Sequence, residues 1–290
     1  MSAIFSMTGY ASASCDVGHA VVNLELKSVN SRYLDVGFRL SEELRFLEMP
    51  LRERIAERTA RGKVECRGYL QGQGSAARSM QANLALLGEL AQLEMTVRAN
   101  LPEAAPLSVA EVLRWPGVLD EPGRDAEATQ AKVLASFADL LGEFSASRER
   151  EGARLAAVLS EKIAQMRNIV RDVGPRVPLA IAAYQERLAG KLREAVAALD
   201  EDRIRQEVGV FAAKIDVAEE IARLQTHLAE AERVLNKGGA VGKRLDFLTQ
   251  ELNREANTLA SKSVSAEVTA AALELKLLIE QFREQVQNLE

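Results

Sequence analysis

Hydrophobic and polar positions alternate with a period of two in the first part of the chain and with a period near 3.6 after it. Ala20–Ser28 sets Val22, Leu24 and Leu26 on one side and Val21, Asn23, Glu25 and Lys27 on the other, the signature of a half-buried strand. Phe5–Ser14 is similarly β-rich, and Arg32–Leu40 alternates Tyr33, Asp35 and Gly37 with Leu34, Val36 and Phe38. Ser41 supplies an N-cap for a helix over Glu42–Ala60, in which Pro50 marks a bend or a break. Lys63–Gln71 returns as a strand, and the glycine-rich run Gln71–Ser75 closes the unit.

From Asn83 the period changes. Leu84, Leu87, Leu90 and Leu93 begin a helix that Pro102 and Pro106 end. Val109–Leu113 is a short helix stopped by Trp115-Pro116-Gly117, where the sole tryptophan reads as a packing anchor rather than a base-stacking platform. No proline interrupts Asp125–Val173, so one or two long helices are expected there. Gly174-Pro175 is a turn signal, and further helices are predicted over Leu179–Leu199, Asp202–Leu235, Lys243–Ala260 and Ala266–Leu289. The fold class is therefore α+β and mainly α overall. It comprises a small strand-rich N-terminal α/β domain (1–75), a helical connector (76–124) and a long-helix, coiled-coil-like C-terminal domain (125–290).

The polar faces of these helices carry the candidate chemistry. Val217, Ile221, Leu224, Leu228, Ala231 and Leu235 form a buried seam, and Asp216, Glu220, Arg223, His227 and Glu230 make one stripe beside it. Two carboxylates one turn apart can share a hard divalent cation, an arginine can meet a phosphate, and an imidazole can carry a proton near neutral pH. The chain has two histidines, His19 and His227, and only His227 has such company. The competing reading is the ordinary ion-pair flank of a helix-bundle seam.

Gly242–Ser263 places Leu245, Leu248, Leu252, Ala256 and Leu259 on one stripe, whereas Asp246, Gln250, Asn253 and Asn257 line up on another. Asparagine is a weak helix former, so two of them in mid-helix mark candidate ligand contacts. The last predicted helix has a seam of Val268, Ala271, Leu275, Leu278, Phe282, Val286 and Leu289, with Glu274, Glu280 and Arg283 as polar candidates. In the N-terminal region, Lys27, Asn30, Arg32 and Tyr33 surround a turn between strands, where cations grip phosphate and tyrosine can stack on an unpaired base. A polar hairpin with a half-buried Tyr33 is the alternative. GGAVGKR (Gly238–Arg244) fails as a nucleotide loop, because no Ser or Thr follows Lys243. It reads as a helix-to-helix turn whose Gly242, Lys243 and Arg244 can still hold a phosphate.

Composition narrows the classes. With 290 residues, 47% hydrophobic and only 4% aromatic, the core must be built from aliphatic side chains on packed helices. Net charge is −5, which argues against a general electrostatic coat for nucleic acid. Basic charge is local: between Leu44 and Arg67 seven cations, Arg61 and Lys63 among them, face four acids. No apolar run is long enough for a bilayer, no leader-like segment opens the chain, and Cys15 and Cys66 form no metal-type pair. A reduced cytoplasmic protein with free thiols is expected.

Several blocks, in order, resemble those of the YicC family of bacterial proteins: FSMTGYA (Phe5–Ala11), LKSVNSRYLD (Leu26–Asp35), RGKVEC (Arg61–Cys66), VLRWPGVL (Val112–Leu119), KIDVAEEIARLQTH (Lys214–His227) and GKRLDFLTQELNREANTLASKS (Gly242–Ser263). The resemblance covers essentially the whole chain. It implies an endoribonuclease that cuts single-stranded RNA with a divalent metal, Mg²⁺ or Mn²⁺, and that assembles as a homo-oligomer, a hexamer in the family. With the acidic stripes, it nominates Asp216, Glu220, Glu251 and Glu255 as metal or acid–base groups and His227 as an alternate proton carrier. Arg223, Arg254 and Lys262 would then contact phosphate, and Asn253 and Asn257 sugar or base. A non-catalytic RNA-binding adaptor, forming a helical ring or clamp, also explains the seams and the carboxamides. No membrane and no nucleotide cofactor are expected.

Overall fold

The computed structural model describes residues 2–18, 20–72, 81–120, 126–195 and 200–290. It is α+β and mainly helical. Strands β1 (Gly9–Asp16), β2 (Ala20–Val29), β3 (Leu34–Leu40) and β4 (Gly62–Gly72) form one sheet in the order β1-β2-β4-β3. The β1–β2 and β2–β4 pairs are antiparallel; β3 runs parallel to β4. A parallel pair needs a crossover, and here it is a 3-10 segment (Glu42–Leu47) leading into α1 (Glu48–Arg58). Pro50 lies in the first turn of α1, where its missing N–H costs no helical bond.

The alternation read from the sequence is the burial pattern of β2: Val22, Leu24 and Leu26 are buried and pack with Leu44, Leu47, Leu51 and Ile55. The same core takes Val133, Phe137, Leu140 and Phe144 from α4 (Ala126–Val173). Burial pushes the Cys66 thiol in this core up to about 12, so it is inert. Between sheet and α4 lie β5 (Gln81–Ala82), α2 (Leu84–Asn100), α3 (Val109–Arg114) and β6 (Leu119–Asp120). The tryptophan here is not a packing anchor within the described residues, because Trp115 is 48% exposed.

Helix α4 has 48 residues and is about 72 Å long at 1.5 Å per residue. Its second half, Leu155, Leu159, Ile163, Met166 and Val170, enters a different core with α7 (Ala218–Lys237), α8 (Gly242–Lys262) and α9 (Ala266–Val286). Helices α5 (Arg176–Ala195) and α6 (Glu201–Ile215) pack on each other before the chain enters α7. The single helix expected over Asp202–Leu235 is thus two. Asp216 is extended (φ −66, ψ 127), and its Oδ1 accepts from the Ala218 N–H at 2.9 Å, capping α7 instead of continuing α6. No helix among the described residues is long and apolar enough to cross a membrane.

The two cores meet at one buried cation. Arg148, 2% exposed, donates through Nε to the Ser6 carbonyl at 2.7 Å and through Nη2 to Glu290 Oε2 at 2.5 Å. Glu290 Oε1 in turn accepts the N–H groups of Ala60 (2.8 Å) and Arg61 (3.1 Å) beyond α1. The Phe5 carbonyl accepts the Glu290 N–H at 3.0 Å. Only glycine fits one turn further along α4, since a Cβ on Gly152 would lie 2.1 Å from the Ile4 carbonyl oxygen. Replacing Arg148 by Met should strand the Glu290 carboxylate and lower unfolding free energy by about 3 kcal/mol. Chemical denaturation measures this, and a loss under about 1 kcal/mol would show that the pair is not what joins the cores.

Candidate metal centre between two antiparallel helices

Helices α7 and α8 are joined by the turn at Gly238-Gly239, both with positive φ (72° and 82°), a backbone state that glycine adopts without strain. The N-terminal segment seats on this turn: Ser2 bridges to Gly238, and the Gly239 N–H reaches the Ala3 carbonyl at 3.3 Å. The Gly242 N–H is directed at the Glu290 carbonyl, 3.4 Å away, so this helix start is occupied by the chain itself. Helix-to-helix turn is the structural role of GGAVGKR.

The polar stripes of the two helices face each other as a ladder. Glu220 pairs with Lys262 at 2.7 Å, Arg223 with Glu255 at 3.5 Å, and Glu230 with Arg244 at 3.3 Å. Rising numbers on α7 meet falling numbers on α8, which fixes the pair as antiparallel. Arg223 also pairs with Glu219, and Arg233 with Glu230 at 2.7 Å. Much of the stripe is therefore the cross-helix ion pairing that a bundle seam favours.

The middle rung is different. His227, Glu251 and Glu255 bring one imidazole nitrogen and two carboxylate oxygens within 4.8 Å of one another. Glu251 and Glu255 stand one turn apart on α8, and Glu255 is buried. Adjacent donors on one octahedral cation stand about 3 Å apart at a ligand distance of about 2.1 Å, so these groups would have to draw together to hold a metal. One imidazole nitrogen with two carboxylate oxygens departs from the all-oxygen coordination that Mg²⁺ prefers, and imidazole is a ligand of transition ions.

The other nominated carboxylates are not part of this cluster. Glu220 is buried against Lys262, and the Asp216 side chain caps α7 while its carbonyl accepts from Lys262 Nζ at 3.1 Å. Lys262 is thereby bonded to both of these residues.

On the opposite flank of α8, Asn257 Nδ2 donates to Asn253 Oδ1 at 3.2 Å, and Gln250 Nε2 to Asp246 Oδ2 at 3.2 Å. Gln250, Asn253, Arg254, Asn257, Thr258 and Arg283 line an open groove there. Arg283 joins it from α9, paired with Glu280 at 3.8 Å, while Glu274 lines a separate hollow with Glu267 and Arg176. Arg244 lies over the Phe247 ring at 5.5 Å, and Lys243 is exposed beside it. In the N-terminal domain, Arg32 lies 5.4 Å from the centre of the Tyr33 ring, which is 69% exposed rather than half-buried. Arg61 Nε donates to the Arg32 carbonyl at 3.3 Å, Lys63 lies 4.0 Å from Asp35, and Asn30 and Lys27 are exposed. His19 lies outside the described residues.

Two family models cover nearly all of this chain: "Endoribonuclease YicC-like, N-terminal region" matches residues 4–157, and "Endoribonuclease YicC-like, C-terminal" matches residues 173–290. The chain belongs to the YicC-like endoribonuclease family. A Haemophilus influenzae protein named "Probable endoribonuclease YicC" is 42% identical over 289 residues, covering 99% of this chain and 100% of that relative. A Clostridioides difficile protein of the same name is 26% identical over 290 residues, covering 98% and 99%. Helix α4 spans the gap between the two family matches, and the charge ladder lies wholly within the C-terminal one.

Glu230, the last member of the α7 stripe, ends the ladder as a doubly paired carboxylate. Hydrogen bonds from Arg233 first, and then from Arg244, hold the Glu230 carboxylate down to about 2. A depressed carboxylate stabilises the fold above its ordinary pKa, and that contribution fades as pH falls from about 4.5 toward 2. Carboxyl NMR titration should find Glu230 near 2, moving up in Arg233→Ala. A midpoint that stays ordinary in the parent protein would dissolve this rung.

Proposed function

We propose that this protein is a metal-dependent endoribonuclease that hydrolyses phosphodiester bonds of single-stranded RNA in the cytoplasm. The observation that carries the reading is the His227–Glu251–Glu255 donor set, set within the charge ladder beside Arg223, in a family of endoribonuclease name. A divalent cation held there, Mn²⁺ in preference to Mg²⁺, would supply an activated water and neutralise charge on the phosphoryl group. Arg223, half-exposed beside Glu255, is positioned to draw a phosphate toward the cluster. Across α8, Asn253, Asn257 and Arg254 offer amide and guanidinium donors to sugar and base edges. The Arg32–Tyr33 stack, with Arg61 and Lys63, offers an unpaired base a ring and its phosphates a cation. Lys243 and Arg244 extend the basic rim at the start of α8. A homo-oligomer belongs to this reading, and exposed Leu93, Met95 and Leu101 on and beside α2 supply apolar surface for it.

The test is cleavage of end-labelled single-stranded RNA by repurified protein with and without Mn²⁺. Chelation should abolish cutting, and Glu251→Gln with Glu255→Gln should reduce it at least tenfold, about 1.4 kcal/mol of barrier, while RNA binding persists. Parental cutting by that double variant would move the active site elsewhere. Binding without any cutting by the parent protein would favour the adaptor reading.

The carboxamide pair makes a separate forecast. Asn253 and Asn257 bond to each other rather than between helices, so changing both to Ala should leave thermal stability equal or higher, by up to about 1 kcal/mol. RNA affinity should fall about tenfold. Undiminished affinity would remove these residues from the RNA path.

A further inference from the structure

The sheet and α4 enclose a second open groove, whose lining includes Tyr10, Lys27, Ser147, Arg150, Glu151 and Arg154. We propose that it is a contact strip for the backbone of single-stranded RNA, separate from the α7–α8 cluster. This inference rests on the reading that RNA is the substrate.

The groove gathers three cations against one carboxylate, in a chain whose net charge is −5. Elsewhere on the helices arginines are drawn into close pairs, as in Arg167–Glu232 at 2.7 Å and Arg193–Glu201 at 2.8 Å. Here Arg150 forms no ion pair among the described residues, and the 81% exposed Arg154 has only Glu151 at 3.7 Å. Arg150 and Arg154 stand one turn apart on α4, about 6 Å along the axis, close to the separation of successive phosphates. Like charges at that spacing destabilise a helix, and a polyanion relieves the repulsion.

The groove also carries an aromatic ring. Tyr10 on β1 is directly opposite Lys27 on β2, so the two side chains share the solvent face of the sheet. Tyr10 is 54% exposed, as a stacking residue must be. A duplex keeps its bases stacked inside, whereas a single strand can offer one to this ring. Three cations in the lining make the groove a poor seat for an apolar helix or a lipid tail.

The walls of the groove are held firmly. A Cβ on Gly9 would lie 2.5 Å from Arg148 Cγ, so the start of β1 is pressed directly onto the buried clamp of α4. Groove walls fixed in this way lose little freedom on binding.

The experiment is fluorescence anisotropy of a labelled single-stranded RNA with chelator present to prevent cutting, titrated at several salt concentrations. Arg150→Glu with Arg154→Glu should weaken binding at least tenfold and flatten the salt slope by about 0.7 for each lost phosphate contact. Tyr10→Leu should weaken it about fivefold or more at an unchanged slope. Arg150→Gln with Arg154→Gln, at an unchanged melting temperature, should shift binding in the same direction and so exclude misfolding. Parental affinity and slope in both arginine variants overturn the groove while leaving the RNA reading intact. Failure of the parent protein to bind RNA overturns both. Displacement of the RNA by an equal amount of polyglutamate also overturns the proposal, giving the groove to an acidic protein segment.

Discussion

The buried Arg148 guanidinium is the constraint on which the arrangement of the molecule depends. It sits midway along α4, where the helix leaves the sheet and enters the bundle. Its partners come from sequence positions far apart: the Ser6 carbonyl near one end of the chain and the Glu290 carboxylate at the other. Glu290 then holds the backbone after α1 through Ala60 and Arg61. A buried ion pair contributes little net energy against its desolvation, but either member left alone is costly. Such a pair therefore selects one arrangement of sheet, helix and chain ends over alternatives that separate them.

A long helix shared by two cores has consequences for the candidate site. The second half of α4 supplies one wall of the bundle that contains α7, α8 and α9, so these helices are held relative to the sheet through α4. Lys162 on α4 donates to Gln281 on α9 at 2.7 Å, and Arg167 pairs with Glu232 on α7, reinforcing the same alignment. The α7–α8 ladder needs that alignment, because its rungs are side-chain contacts between separate helices. At three rungs the charges are of opposite sign. Between them, two carboxylates and an imidazole converge, and Arg223 is paired with one of those carboxylates.

The aliphatic periodicity was legible residue by residue. Leu245, Leu248, Leu252, Ala256 and Leu259 form the buried stripe of α8, and Val22, Leu24 and Leu26 the buried face of β2. The break at Asp216 was harder to see, because no proline or glycine marks it. The continuous heptad seam through Val217 masked it. Trp115 misled for the opposite reason: a large apolar ring usually finds a core, and here the connector leaves it half in solvent.

By itself the sequence determined which residues of each element are buried and which share a polar face, because backbone geometry fixes those periods locally. It also set Glu251 and Glu255 on one flank of α8 and Asn253 and Asn257 on another, since position on a helix follows from spacing alone. Only the tertiary structure decided what each flank meets. Glu220 and Glu255 look alike in sequence, two acids on amphipathic helices, yet one faces Lys262 and the other lies with His227 and Glu251. The register of α7 against α8 makes that difference, and that register is set by packing against α4 and α9, contacts that link residues far apart in the chain.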